Sequence, residues 1–393
     1  MNPQLSRRTI HLLVIAATST LWLQGAPAAD GGGPTPAVQV RPEYERALRS
    51  VYLSVPSRFR DPRQAAAPDR HIEFVRAAYS ELIAALPAYT SIDLAVADSD
   101  QDGVAGHLRS VAATRPFRTH VVEQRHAELD MWAQDLGEPI IVAGEARFLV
   151  PMSLDENVSY NGELAGSRRR VAHRVFPNRT VDADFVFEGG NLAFDQVGDG
   201  TRVFIGYNDV LLTIETYRRR GRSLDTAGVA QMVAADFGGA EVVVVGRSQQ
   251  SPLLFHLDQA FILLGSNVAV VNRIVGPPSR EQRQLEDTRM QLERLGYRTI
   301  AIDHTQSDVE TYRISTNAVP FVDAQTGRKT ILFPVFPGEV KSAPQGRLTR
   351  DHLTGKSLAA YKAYEAAGYL PVPIRDFAHA VGGNTHCITN VLD

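Results

Sequence analysis

The stretch Phe185-Val186-Phe187-Glu188-Gly189-Gly190-Asn191 sets an acid, two glycines and an amide at the end of an apolar run. Residues 192–194 resume the apolar pattern, Gly198-Asp199-Gly200 turns the chain, and residues 203–207 bring it back. Two apolar runs around such a turn read as a β-hairpin, with the polar cluster at its mouth. Three other stretches repeat the arrangement. Met131-Trp132-Ala133-Gln134-Asp135 leads into residues 139–142, a Gly144-Glu145 turn and residues 146–152. Phe255-His256-Leu257-Asp258 leads into residues 260–264, the turn Gly265-Ser266-Asn267 and residues 268–271. Ile314-Ser315-Thr316-Asn317 leads into residues 318–322, a Thr326-Gly327 turn and residues 330–335.

Helical stretches and single strands fill the gaps. Residues 70–86, 228–237, 280–295 and 355–367 carry helical patterns, and residues 91–97, 120–123, 241–245, 298–302 and 370–374 read as strands. Near the end of the chain, Gly382-Gly383-Asn384-Thr385-His386-Cys387 forms another polar turn and holds the only cysteine. From Asp135 to Glu188, His256, Asn317 and Cys387 the steps are 53, 68, 61 and 70 residues. A mixed unit of that length is too long and loop-rich for a solenoid. The expected fold is α/β: a five-bladed β/α-propeller of pseudo-five-fold ββαβ-type repeats, whose hairpin mouths meet at one central point. Residues 42–393 then make a single catalytic domain.

The remainder of the chain reads as leader and linker. Ser6-Arg7-Arg8-Thr9 is a positive start, residues 10–23 are largely apolar, and Ala26-Pro27-Ala28 is a small-x-small cleavage site. Residues 1–29 are therefore expected to be an export signal of twin-arginine type, and residues 30–41 a flexible linker. The expected location is periplasmic or secreted in a bacterium. The whole chain has 41 basic and 44 acidic residues, a balance that does not suit nucleic acid. The runs Arg168-Arg169-Arg170 and Arg218-Arg219-Arg220 read as solvated faces, and no apolar stretch after the leader suits a membrane span. Export sharpens the question posed by Cys387. A lone thiol cannot close a disulfide within the chain, so it is either buried filler or put to use.

Brought together, Asp135, Glu188, Asp258, His256 and Cys387 are three carboxylates, an imidazole and a thiol. One thiol among hard carboxylates suits a metal poorly, so no metal and no cofactor are expected. A peptidase-like Cys–His pair needs one orienting group, not three acids. Three carboxylates around a nucleophile instead suit a planar cation with many donors, and a guanidinium fits.

The motifs Trp132-x-x-Asp135, Glu188-Gly189-Gly190-Asn191, His256-x-Asp258 and Gly383-Asn384-x-His386-Cys387-x-Thr389 resemble, in their order, the guanidino-group-modifying enzymes of the pentein superfamily. Agmatine deiminases and bacterial peptidylarginine deiminases are the nearest likenesses. Gln134 stands where agmatine deiminases usually carry Arg, and in this the chain looks more like the protein-arginine variant. The resemblance implies that Cys387 attacks the guanidinium carbon while Asp135 and Asp258 hold the cation. Glu188 would be a further acid on the guanidinium or the partner of His256. His256 would protonate the leaving ammonia and then activate water against a thiouronium intermediate. Trp132, Asn191, Asn317, Gly383 and Asn384 would line the substrate, and the product would be a ureido group.

The implied activity is that of an exported hydrolase acting on agmatine, free arginine, or arginine in a peptide or protein. Amidine transfer to an amine, or a non-catalytic guanidinium receptor, are the alternatives on the same scaffold. Asp98-x-Asp100-x-Asp102-Gly103 starts like a calcium loop, and mammalian protein-arginine deiminases use calcium. Its twelfth position, however, is Arg109 where a bidentate Glu is needed, so an acidic turn is the better reading. His304, His379 and His386 show no partner in the sequence and read as structural or rim residues.

Overall fold

The computed structural model describes residues 38–55, 68–98, 103–123, 129, 131–152, 162–246, 248, 250–341 and 347–392. The expected leader, most of the linker, and Asp100 and Asp102 of the acidic turn lie outside these residues.

In chain order the elements begin with β1 (Val38–Gln39), β2 (Ala47–Leu48) and β3 (Ser50–Ser54), then α1 (Pro68–Ala85) and β4 (Ser91–Ala97). Next come α2 (Val104–Ala112), β5 (Phe117–Val122), β6 (Glu138–Val142), β7 (Glu145–Val150), α3 (Gly162–Val175) and β8 (Thr180–Asp182). β9 (Leu192–Val197) and β10 (Gly200–Gly206) are followed by α4 (Tyr207–Arg219), α5 (Thr226–Asp236) and β11 (Glu241–Val245). β12 (Phe261–Leu263), β13 (Val268–Ile274), α6 (Arg280–Arg294) and β14 (Arg298–His304) come next. The chain ends with α7 (Gln306–Glu310), β15 (Val319–Asp323), β16 (Lys329–Val335), α8 (Gly355–Ala366), β17 (Leu370–Arg375) and β18 (Asn390–Leu392).

Eighteen short strands form five separate sheets, and none closes on itself among the described residues. Each sheet holds the same core. An antiparallel pair is joined on one side by a strand parallel to its second member: β6-β7-β8, β9-β10-β11, β12-β13-β14 and β15-β16-β17. Parallel neighbours need a crossover, and α3, α4 with α5, α6 and α8 supply it. The fifth sheet differs. Its antiparallel pair joins β18 to β3 (Asn390 opposite Tyr52), and β4 and β5 follow in parallel across α1 and α2. That hairpin is split between the two ends of the chain.

Local chemistry explains the elements. Buried Val75, Ala78, Tyr79, Leu82 and Ile83 recur at helical spacing on α1 and, with Leu86 just beyond it, cover the β3–β4 sheet. Leu285, Thr288 and Leu292 do the same on α6, which Ser279 caps by accepting the Gln282 N–H at 3.0 Å. Asp225 caps α5 through the Gly228 N–H at 2.8 Å. The α4 helix, which the sequence did not announce, turns Val210, Thr213 and Tyr217 inward and hides two hydroxyls on its own carbonyls (Thr213 Oγ1 to Asp209 O and Thr216 Oγ1 to Leu212 O, 2.8 Å each). Between sheets, the hydroxyls of Tyr44 and Tyr297 both donate to buried Asp195. No helix among the described residues is long and apolar enough to cross a membrane.

Candidate active site

Every polar cluster falls just before one strand of an antiparallel pair: β6, β9, β12, β15 or β18. Asp135 lies in a 3-10 turn, Ala133–Leu136, that runs into β6. Glu188 precedes the turn Gly189–Asn191 ahead of β9, and His256 precedes Leu257–Gln259 ahead of β12. Asn317 and Cys387 lie in turns ahead of β15 and β18. Neighbouring clusters touch in chain order. A Cβ on Gly189 would lie 2.0 Å from Gln134 O, and one on Gly190 would lie 2.7 Å from His256 Nδ1 and 2.9 Å from Asp258 Oδ2. Thr316 Oγ1 donates to Asp258 O at 2.9 Å, and Asn317 Oδ1 accepts the N–H groups of His386 (3.0 Å) and Cys387 (3.2 Å). The Gln134 N–H then donates to Cys387 O at 3.2 Å, returning to the first cluster. The glycines are required because the clusters meet backbone to side chain with no room for a Cβ.

At the thiol, Asn317 Nδ2 donates to Sγ at 3.1 Å, and Asp258 Oδ2 stands 3.6 Å away. The Asn384 backbone N–H and the His256 ring also reach the sulfur. His256 Nε2 lies 2.7 Å from Glu188 Oε2, so Glu188 takes the second of its two expected places, as partner of the imidazole. Asp258 Oδ2 meets His386 Nδ1 at 2.9 Å, while Asp258 Oδ1 is buried with no hydrogen-bond partner among the described residues.

The remaining expected residues fall into two groups. Trp132 packs against Gly383, where a Cβ would come within 2.4 Å of the indole. Gly383 therefore makes room for a ring, and the left-handed backbone of the turn belongs to Gly382 (φ +99°). Asn384 spends its side-chain amide on Tyr312 O at 2.8 Å. Asn191 is buried against Gly206 and Asp209, where a Gly206 Cβ would lie 1.8 Å from Asn191 Oδ1. The Asn384 side chain thus braces its own turn, while the Asn191 amide is buried with no hydrogen-bond partner for Oδ1 or Nδ2 among the described residues.

Several residues that matter here were missed. Arg168, taken as part of a solvated run, is 6% exposed, and its guanidinium bridges Glu188 Oε1 (2.8 Å) and Asp135 Oδ2 (3.2 Å). The signal was present: Arg168, Val171, Ala172 and Val175 share the buried stripe of α3. His386, read as a structural or rim residue, is not on the rim but buried between two carboxylates, and Glu43 carried no sequence signal at all. Asp209, which accepts the Glu188 N–H at 3.1 Å, was also unmarked.

Burial opposes the charged form of every one of these groups, and their neighbours decide the outcome. It works against a charged His256 ring, yet the Asp135 charge and the bonds to Cys387 and Glu188 carry that imidazole well above its ordinary value. Burial would raise Glu188, but the His256 hydrogen bond and the Arg168 charge hold its carboxyl well below the usual range. For Cys387, burial and then the Asp258 charge push the thiol up, against an opposing pull from His256. Asp209, buried beside the Glu188 charge, is pushed up to about 8. Burial also takes Glu138 up to about 8, although Arg46 lies 3.3 Å away.

Asp135, Glu188 and His256 offer three ligand atoms within 4.8 Å of one another. In this chain Arg168 is the cation those two carboxylates meet, and His256 Nε2 is taken up by Glu188. A metal at the same atoms would compete with both.

Five small mixed sheets with a thiol, an imidazole and clustered carboxylates at their edges define a mixed α/β protein of the fold found in solved deiminases. The chain belongs to the Porphyromonas-type peptidyl-arginine deiminase family, whose model matches residues 43–392. Agmatine deiminase of C. jejuni is similar in structure, with a TM-score of 0.63 at 13% sequence identity, covering 92% of this chain and 98% of that one. Agmatine deiminase of Enterococcus faecalis gives a TM-score of 0.61 at 14% identity, with 92% and 98% covered. At such identities the likeness is one of fold. No curated protein sequence matches the chain.

Proposed function

We propose that this protein hydrolyses a guanidino group to a ureido group and ammonia through a covalent intermediate on Cys387, with arginine in a peptide or protein as its substrate. The observation that carries the reading is the grouping of Cys387, His256 and Asp258, with Asp258 Oδ1 buried and open to a donor. The family's own description favours peptidylarginine. Agmatine is the second reading, because the C. jejuni agmatine deiminase of this fold has been solved with substrate bound.

In the proposed reaction the arriving cation lowers the thiol's affinity for its proton, which leaves to solvent. The thiolate forms a C–S bond to the guanidinium carbon. His256 then gives its proton to one nitrogen, the C–N bond breaks and ammonia departs, leaving a thiouronium. Neutral His256 takes one proton from water as the oxygen attacks; the C–S bond then breaks as the remaining hydroxyl proton passes to solvent, and the thiolate returns with the neutral ureido product. The Asn317 amide and the Asn384 N–H suit the sulfur's negative charge at both stages.

The wider reading is a single domain over residues 42–393 whose five sheets are the blades of a pentein ring, exported after a leader at residues 1–29. The circuit of contacts from cluster to cluster supports the ring. Incubation with an arginine peptide, arginine and agmatine, with ureido product and ammonia measured, tests the activity, with Cys387→Ala as control. New guanidine on an added amine points to amidine transfer, and binding without turnover to a receptor. Fractionation of cells making the chain with and without Arg7→Lys/Arg8→Lys tests export.

A further inference from the structure

Behind Asp258 stands a second histidine with a carboxylate on each ring nitrogen. His386 Nδ1 lies 2.9 Å from Asp258 Oδ2, and its Nε2 lies 2.9 and 3.0 Å from the two oxygens of Glu43. The imidazole is 6% exposed and the Asp258 side chain 7%, so water competes little for either. A neutral imidazole has one N–H and one lone pair, and a lone pair facing a carboxylate is repelled. Acceptors at both nitrogens therefore fit the imidazolium, which donates to both.

Glu43 reaches the ring from the 3-10 turn Glu43–Glu45, 343 residues away in sequence. Arg46 and Gln134 lie beside Glu43, and Arg46 meets Glu138 as well. On the other side the ring faces Asp258, with Cys387 beyond it. Burial alone would favour a neutral ring, but the Glu43 charge and the bonds to Asp258 and Glu43 carry His386 well above its ordinary value. Two anions and one cation leave a single negative charge across the trio. That balances one guanidinium.

We propose that Glu43 and His386 are positioning residues that clamp Asp258 by its Oδ2, so that Oδ1 is presented to the substrate guanidinium. This rests on the guanidino reading of the site. The clamp explains why Asp258 holds one oxygen occupied and one open. Because His386 is next to Cys387 in sequence, the backbone that delivers the thiol delivers the clamp with it. Glu43 acts at one remove, and neither residue touches the reacting carbon.

Two measurements test the clamp, and the first needs no substrate. The ring resonances of His386, assigned with His386→Gln, are expected to read imidazolium through neutral pH in the full chain, and in Glu43→Gln to lose that character at lower pH than in the unaltered chain. A neutral His386 at pH 7 in the unaltered chain would overturn the proposal. In turnover of the arginine peptide, Glu43→Gln is expected to raise KM about tenfold or more, with a KM that now rises with pH as the ring loses its proton. Residues that only support the fold would lower kcat and thermal stability together and leave the pH dependence of KM unchanged, and that result also overturns the clamp. If the unaltered chain turns over no guanidine, the guanidino reading fails, while the charge state of His386 is still read by the resonances.

Discussion

The Arg168 guanidinium meets Glu188 at 2.8 Å, and through its other terminal nitrogen it reaches Asp135 at 3.2 Å. The chain thus holds one of its own guanidinium groups against two of the carboxylates that suit a guanidinium substrate. Removing it would leave two acids close together with a single cationic ring between them. Arg168→Met is therefore expected to cost about 3 kcal/mol of stability, the scale for breaking a buried pair from one side. Denaturant unfolding measures it, and a loss below about 1 kcal/mol would show that the bridge is not structural.

Burial and the Asp258 charge push the Cys387 thiol up, which favours its protonated form in the free chain. The rate of alkylation by iodoacetamide is expected to climb only on the alkaline side in the free chain. A bound guanidine that does not react should move that climb to lower pH. His256→Ala should move it further up, since the imidazolium is the group opposing the rise. An inflection that stays put on adding ligand would sink the idea.

Asp209 is held up to about 8, against an unfolded value near about 4. An acid whose folded value is raised keeps its proton in the folded chain. Its favourable contribution is complete below the unfolded value and is lost as pH climbs toward the folded one. Asn mimics the protonated acid and can still accept the Glu188 N–H. Asp209→Asn should match the unaltered chain near pH 4 and gain on it by about 1 kcal/mol per pH unit up to about pH 8. Parallel stability curves for the two proteins would refute the assignment.

Gly190 leaves 2.7 Å between a would-be Cβ and His256 Nδ1. Gly190→Ala should therefore displace the imidazole and Asp258 while the β9–β10 hairpin stays paired. A fall in kcat/KM of about a hundredfold is expected, since an ångström of misplacement has that effect. Circular dichroism should remain unchanged. Full activity would mean that the clusters are looser than their contacts indicate.

The hairpin strands and half of the helices were legible because their patterns are local: β4 and α6 stand close to where alternation and spacing put them, whereas α2, α3, α4 and α7 and the short strands β1, β2, β3, β8 and β18 went unrecognised in the sequence. Cys387, His256, Asp258, Glu188 and Asp135 were legible too, because the same polar cluster recurs before one strand of each antiparallel pair. Arg168 was legible in principle from the stripe it shares with Val171 and Val175, but a run of three arginines hid it. Glu43 and Asp209 were not legible. Their partners lie on other elements, 343 residues away for Glu43, and a single acid on a turn or helix has no pattern of its own. His386 needed the fold to show that both of its nitrogens face carboxylates.

The sheet shared by β18 and β3 makes the protein's competence a matter of timing. Ser50 and Leu392, bonded across that sheet, are 342 residues apart, and synthesis runs from the first to the second. Until the final strand arrives, β3 has one bare edge, the kind that recruits strands from other chains. Cys387 arrives just ahead of that strand. A chain cut short before Cys387 would lack both the thiol and the strand that covers this edge, so the two arrive together or not at all.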